Sequence, residues 1–299
     1  SALISAFRNN GDVQYLLRAD SLVEQASLAS QQQEAGLLRS LTSLAMMQHR
    51  FPEAAGFLQK AILLEGRTYA NLMTQFDISF ERGDYSRAGA WLAATKTGNS
   101  YSYLFRRAKL EHYLGLPDSA VSCMLQAADK AGNNSYLRQV ALSNAADLYM
   151  HQGDAVAAYR LYRQCISNDP GDFHSILGIG RIALVHDKND LLAEKLFLLA
   201  ARHYLSPDVI LRLEEVAEAR NDTSSARKLA RSFVRSVSDS CYGRMYTKYL
   251  IDLYTGVLDE PAKAVPIALL EIDNRPTPQV YAWYAWSLYC NKEKEKAYQ

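Results

Sequence analysis

The sequence predicts an all-α fold, a solenoid of about eight or nine helical hairpins, and three observations carry that prediction. A small residue recurs at Ala19, Ala54, Ala88, Ala120, Ala158, Ala193, Ala226, Ala264 and Ala297, with spacings scattered around ~34 residues, the length of a two-helix repeat. Each of these alanines follows a turn: Gly11–Asp12, His49–Arg50, Gly83–Asp84, Gly115–Leu116, Gly153–Asp154, Asn189–Asp190, Asn221–Asp222, Asp259–Glu260 and Lys292–Glu293. Gly, Asn and Asp suit short helix–helix connections because they tolerate left-handed backbone angles and cap helix ends. Seven residues beyond the anchor, Ala26, Ala61, Thr95, Ala127, Cys165 and Ala200 form a second small position. Two helical turns separate the pair, so both lie on one face.

Taken in order, Ala2–Asn10 reads as the tail of a first helix. The unit from Glu34 to Gly66 places Leu38, Leu41, Ala45, Phe51, Ala54 and Ala61 at packing positions, with a turn that lacks Gly. The unit from Tyr69 to Thr95 carries Leu72, Gly83, Asp84, Tyr85 and Ala88. The next is anchored by Ala120 and Ala127 and leaves through a longer connection, Lys130–Ser135. Gln139–Pro170 is the most regular unit, with Ala145, Ala146, Tyr149, Gly153, Ala158, Tyr162 and Pro170. Asp172–Leu205 carries Gly180, Ala193, Phe197 and Ala200, with about one extra turn residue. Pro207–Phe233 and Met245–Pro276 fit less well, and Pro266 falls inside a second helix. Val234–Tyr242 reads as another long connection. Asn274–Pro278 reads as a stiff one, because proline blocks helix continuation. The last helix is cut short at Ala297–Gln299. Residues 1–233 are therefore expected to form regular repeats, and residues 234–299 divergent ones that are incomplete at the end.

These units resemble the tetratricopeptide repeat family, along nearly the full length of the chain. The resemblance implies a right-handed superhelix of antiparallel helix pairs, in which the first helices line a concave groove that binds an extended peptide or a partner helix. Projected onto this sequence, the groove comprises Arg39, Met73, Asp77, Phe80, Phe105, Lys109, His112, Tyr113, Ser143, Asp147, Met150, His151 and Arg181, with Ser43, Met46 and Met47 beside them. One subgroup of the family grips a peptide's terminal carboxylate with Lys and Asn on neighbouring first helices. Arg39 and Ser43, Met73 and Asp77, and Ser143 and Asp147 stand at those places here, so that mode is not expected.

Composition fits a binding scaffold. The chain has 299 residues, 48% hydrophobic and 22% charged, with Lys+Arg 33 against Asp+Glu 32 and a formal charge of +1. Non-specific nucleic-acid binding depends on many basic contacts to phosphates, and this balance gives it no support. No apolar run is long enough to span a bilayer, so no membrane insertion is expected, and a cytoplasmic protein or an exported mature form fits equally. Cys123, Cys165, Cys241 and Cys290 lie far apart and read as packing thiols. No phosphate-binding loop, HExxH or GxSxG occurs, and no cofactor or metal is expected. His112 and His151 occupy equivalent ends of successive first helices. Glu214, Glu215 and Glu218 read as a solvated helix face. Arg106, Arg107 and Lys109 are the densest basic cluster, with Glu111 at hand. Tyr281, Tyr284 and Leu288 read as core, and Trp283 and Trp286 as candidates for contact with a partner. The expected function is a non-catalytic protein–protein scaffold binding a protein or peptide. The alternative is a regulatory or recruiting segment of a larger enzyme or assembly whose active part lies outside this chain. An uncapped terminal repeat offers a route to homo-oligomers, because a solenoid's last apolar face needs a polar cap.

Overall fold

The computed structural model describes residues 2–95, 98–238 and 240–298, so Asp239 in the 234–242 connection and the terminal Gln299 lie outside the described residues. Among the described residues the fold is all-α, without strands. The helices are α1 (Ala2–Asn10), α2 (Val13–Ala29), α3 (Ala35–Met47), α4 (Phe51–Glu65), α5 (Tyr69–Glu81), α6 (Tyr85–Ala93), α7 (Tyr101–Tyr113), α8 (Pro117–Lys130), α9 (Ser135–Gln152) and α10 (Ala155–Asn168). They continue with α11 (Phe173–Arg181), a π-helical turn (Ile182–His186), α12 (Asp190–Ala201), α13 (Asp208–Ala219), α14 (Thr223–Val237), a 3₁₀ turn (Ser240–Tyr242), α15 (Thr247–Thr255), α16 (Pro261–Asn274), α17 (Pro278–Cys290) and α18 (Lys294–Ala297). None is long and apolar enough to cross a membrane.

The turns between first and second helices share one backbone device. Gly11, His49, Gly83, Gly115, Gly153, Lys188, Asn221, Asp259 and Lys292 all have positive φ, between 53° and 83°. A left-handed residue at this point ends one helix and turns the chain into the next. The residue that follows is the N-cap of the second helix. Asp12, Asp84, Asp154, Asn189 and Asp222 each accept a hydrogen bond there from a backbone N–H two or three residues on. Four residues after the cap comes the anchor. Ala54, Ala88, Ala120, Ala158, Ala193, Ala226 and Ala264 are each at most 1% exposed.

Three placements differ from the sequence reading. Counted from its cap Asp12, the first anchor is Leu16, fully buried, with Ala19 one turn further along the same face. The second position accordingly falls at Val23, half-buried against Leu16, Ala19 and Leu44, and Ala26 is exposed. The sixth turn is Lys188–Asn189 rather than Asn189–Asp190. The extra residue of that repeat is absorbed by the π-helical turn, which inserts one residue without breaking the helix. Finally, α14 runs on to Val237, so the connection after it is shorter than 234–242.

The chain divides into two compact units, Gly89–Arg220 and the discontinuous pair Ser1–Ala88 with Asn221–Gln299. In the first, α7–α8 and α9–α10 bury Leu104, Ala108, Ala120, Cys123, Ala127, Ala141, Ala145 and Cys165 together. Further along, α11 approaches α12 so closely that a Cβ on Gly180 would lie 2.2 Å from the Phe197 ring. Only glycine permits that contact.

In the discontinuous unit, C-terminal hairpins pack on N-terminal ones. Asn274, 2% exposed at the end of α16, donates to the His49 carbonyl (2.9 Å) and accepts from the Phe51 N–H (3.2 Å). The first amides of a helix have no intrahelical partner. Asn274 therefore caps α4 from the far end of the chain. The Arg244 N–H donates to the Gln48 carbonyl (3.2 Å), and Met245 packs on Leu16, Ala19 and Leu44. Glu271, with no exposed surface, is held by Arg275 (2.5 Å) and Arg244 (3.8 Å). The Arg275 guanidinium in turn lies over the Phe51 and Trp283 rings, 5.9 and 5.5 Å from their centroids.

Candidate partner-binding surface

The candidate surface is built on first helices of the Gly89–Arg220 unit. Three of them, α7, α9 and α11, are each started by a side-chain cap. Ser100 accepts from the Tyr103 N–H, Asn134 from Leu137 and Asp172 from Ser175. These caps fix where each helix begins and so which residues share a face. Neighbouring first helices are then linked through the side chains on that face. Nδ1 of His151 on α9 lies 3.3 Å from Nε2 of His112 on α7, with the rings stacked at 5.2 Å. His174 on α11 meets Asp147 on α9 at 3.0 Å, and Tyr162 on α10 donates its hydroxyl to the other Asp147 oxygen. Arg181 on α11 lies 3.9 Å from Glu215 on α13.

His112, Tyr113, His151 and Arg181 are exposed, and Lys109, Asp147 and Met150 half-buried. Phe105 is half-buried against the α7–α9 core and stacks on Tyr101. Ser143 is 6% exposed and returns its hydroxyl to the Val140 carbonyl, so it supports the helix and offers nothing to a ligand. His174 and Tyr162 were absent from the sequence-derived groove. The signal available was weak: a histidine at the start of α11, with an aspartate on the helix before it.

The electrostatics of this face are local. Burial works against ionisation of Asp147, but the bonds from His174 and Tyr162 outweigh it and hold the carboxyl below the usual range. Enclosure of the His174 ring by its neighbours opposes its charged form, although its side chain keeps 55% of its surface exposed. The Asp147 contact prevails, and the imidazole stays protonated to higher pH than usual. His112 is pushed down, first by burial and then by His151. Burial, with Asp147 beside it, pushes the Tyr162 hydroxyl well above its usual value, so it is a neutral donor.

The other residues singled out by sequence lie elsewhere. Arg39 pairs with Glu65. Met73 is 2% exposed and belongs to the core. Asp77 is half-buried, and Phe80 stacks on Phe76 at 5.6 Å and meets Tyr85 edge-on. Arg107 pairs with Glu111 (3.1 Å), while Arg106 returns to the Ser102 carbonyl (3.0 Å). Adjacent basic residues on a helix point to different faces. Glu214 is buried rather than solvated, at 5% exposed, and its carboxyl is pushed up to about 8 by burial, with Glu218 and Glu215 adding. Tyr281 is exposed rather than core, and Trp286 stacks on Tyr289 at 5.7 Å on the open side of α17. Cys123 and Cys165 are buried, whereas Cys241 and Cys290 are half-buried. Among the described residues no group of three or more His, Cys, Asp or Glu converges as a metal site would require.

No protein-family model and no curated protein matches the sequence. Solved structures match the fold. PilW, a widely conserved type IV pilus biogenesis factor, aligns with a TM-score of 0.53 at 13% identity, over 71% of this chain and 97% of its own. Yeast Tom70 aligns with a TM-score of 0.54 at 14% identity, over 95% of this chain and 60% of its own, so the chain spans less than two thirds of that structure. Both are tetratricopeptide-repeat structures, and this chain has the tetratricopeptide-repeat fold.

Proposed function

We propose that the chain is a non-catalytic protein-interaction scaffold, and that a partner peptide lies across α7, α9 and α11. It would contact Phe105, Lys109, His112, Tyr113, Asp147, Met150, His151 and Arg181. The observation that carries this reading is the helix-to-helix linkage of the face, from His112 to His151 and from Asp147 to His174. Side chains that touch across neighbouring helices form one continuous surface rather than separate patches. Its make-up suits a peptide. Met and aromatic side chains adapt to a partner's shape and supply contact area, and the interspersed charges fix register. The tetratricopeptide-repeat fold agrees with a binding role.

A photo-crosslinking amino acid tests it, placed at Tyr113 or Met150 on first helices and at Tyr159 or Leu198 on second helices as controls. All four are at least partly exposed. In lysate of the native source, one protein species should crosslink from Tyr113 and Met150 and not from the controls. Equal capture from both sets, or none from the first, would remove the basis for this reading.

A further inference from the structure

The chain carries a second surface of different character on α14 and the beginning of α16. The sequence of α14, TSSARKLARSFVRSV, holds four basic and no acidic side chains, in a protein whose formal charge is only +1. Its buried face is Ala226, Ala230, Phe233 and Val237. The opposite face presents Arg227, Arg231 and Arg235 in a row at four-residue spacing, all exposed, with Lys228 beside them. At 1.5 Å rise per residue the row spans about 12 Å.

Beside the row is a recess of about 140 Å³ lined by Arg231, Val234, Arg235, Tyr254, Leu258, Glu260 and Lys263. Its floor is apolar: Tyr254 and Leu258 are buried and Val234 half-buried. A volume of roughly 150 Å³ is that of a ring the size of benzene, so one aromatic or aliphatic side chain can rest on the apolar floor, with the charged side chains at the rim. Glu260 shows how a carboxylate sits here, 3.1 Å from Arg231 and 2.5 Å from Lys263. Lys263 also lies over the Tyr254 ring, 5.5 Å from its centroid. Arg227 spends one donor on the Val257 carbonyl. Lys228 and Arg235 have no partner among the described residues.

We infer that this surface is a docking site for an acidic segment of a partner protein, with carboxylates at four-residue spacing along the arginine row and an apolar side chain in the recess. The recess decides between anionic partners. A nucleic-acid strand offers phosphates but no aliphatic group for it. A lipid surface is met by helices that expose apolar side chains beside their basic ones, whereas Ser224, Lys228 and Ser236 flank the arginines on the exposed face of α14. The surface lies on other helices than the first-helix face, and neither reading depends on the other.

Fluorescence anisotropy with the full chain tests it. The probe is a labelled peptide of about 16 residues carrying Glu at every fourth position with Leu and Phe between, at about 50 mM salt, where surface charges are weakly screened. Saturable binding is expected. Arg235→Glu, which breaks no hydrogen bond or ion pair seen among the described residues, should weaken it about threefold, and Arg231→Glu with Arg235→Glu about tenfold, since exposed pairs contribute factors of roughly two to five each. Replacing the peptide's Leu and Phe with Ser should also weaken it. Circular dichroism of both variants confirms folding. Absence of saturable binding, unchanged affinity in Arg235→Glu, or tighter binding to labelled oligothymidylate or to phosphatidylserine vesicles than to the peptide would overturn the inference.

Discussion

Replacing Asn274 with alanine would break the contact that ties α16 to the α3–α4 turn. Asn274 is 2% exposed and Phe51 is 1% exposed, so water does not replace the lost amide. The Phe51 N–H, which gives its bond to Asn274 at 3.2 Å, would be left as a buried donor without an acceptor. That costs about 1–3 kcal/mol, and the lost bond to the His49 carbonyl a further ~1 kcal/mol. The sum, about 2–4 kcal/mol, should raise the local opening equilibrium by a factor of roughly 30 to 1,000. A chain of two units need not unfold in one step, which makes a single denaturation midpoint a poor readout. Amide hydrogen exchange resolves individual segments. The Phe51 amide and the first turn of α4 should lose protection, while amides of α9 and α10 keep theirs. Asn274→Asp keeps an acceptor for Phe51 but removes the donor to His49 and sets a second carboxylate beside Glu271, so it should be no better. Unchanged protection at Phe51 in Asn274→Ala would refute the capping argument.

Three further outcomes follow from other contacts. Gly180→Ala drives a Cβ into the fully buried Phe197 ring, and should destabilise the α11–α12 hairpin by about 1–3 kcal/mol, read as faster exchange in α12. Ala158→Arg places a long cation at a fully buried anchor and should cost at least ~4 kcal/mol by overpacking and an unpaired buried charge; a wild-type melting temperature would contradict that placement. The Asp147–His174 pair should depend on pH from both sides. His174 is raised, so its contribution is full below its unfolded pKa and fades as pH rises through the folded one. Asp147 is lowered, so its contribution is present above its unfolded pKa and fades as pH falls through the folded one. The pair therefore contributes most between about pH 4 and 6.5, modestly because the His174 side chain is 55% exposed. Proton resonances of His174 should titrate above the usual value in the wild type, and Asp147→Asn should bring them down.

The repeat was legible because its determinants are local. A left-handed turn residue, a cap and a small residue four positions later lie within one short stretch, so the letters of that stretch suffice. Gly83–Asp84–Ala88 and Gly153–Asp154–Ala158 need no knowledge of the rest of the chain. Where the local letters were ambiguous the register slipped. Ala19 has the size expected of an anchor, but the cap at Asp12 sets the position, and that position is Leu16. Asn189–Asp190 has the letters of a turn, but the π-helical turn, which has no letter of its own, sets the turn at Lys188–Asn189.

The surfaces were less legible. The row Arg227, Arg231, Arg235 is less conspicuous in the sequence than Arg106–Arg107, since density along the chain hides what four-residue spacing gathers on one helix face. Burial of Glu214 and Met73, and exposure of Tyr281, depend on what packs against each helix, and the same residue types occur inside and outside such arrays.

The sequence by itself determined the helices, their turns and the faces each hairpin must bury, because those follow from capping, backbone angles and side-chain size within a few residues. Only the tertiary structure decided that Asn274 and Arg244 serve the α3–α4 turn. Those residues lie more than 190 positions from their partners, and an asparagine before a proline-rich connector would serve equally well in water. The physical reason is that hydrogen-bond capacity is written in a residue's type, whereas the partner that satisfies it is fixed only when distant backbone is brought within 3 Å and water is excluded.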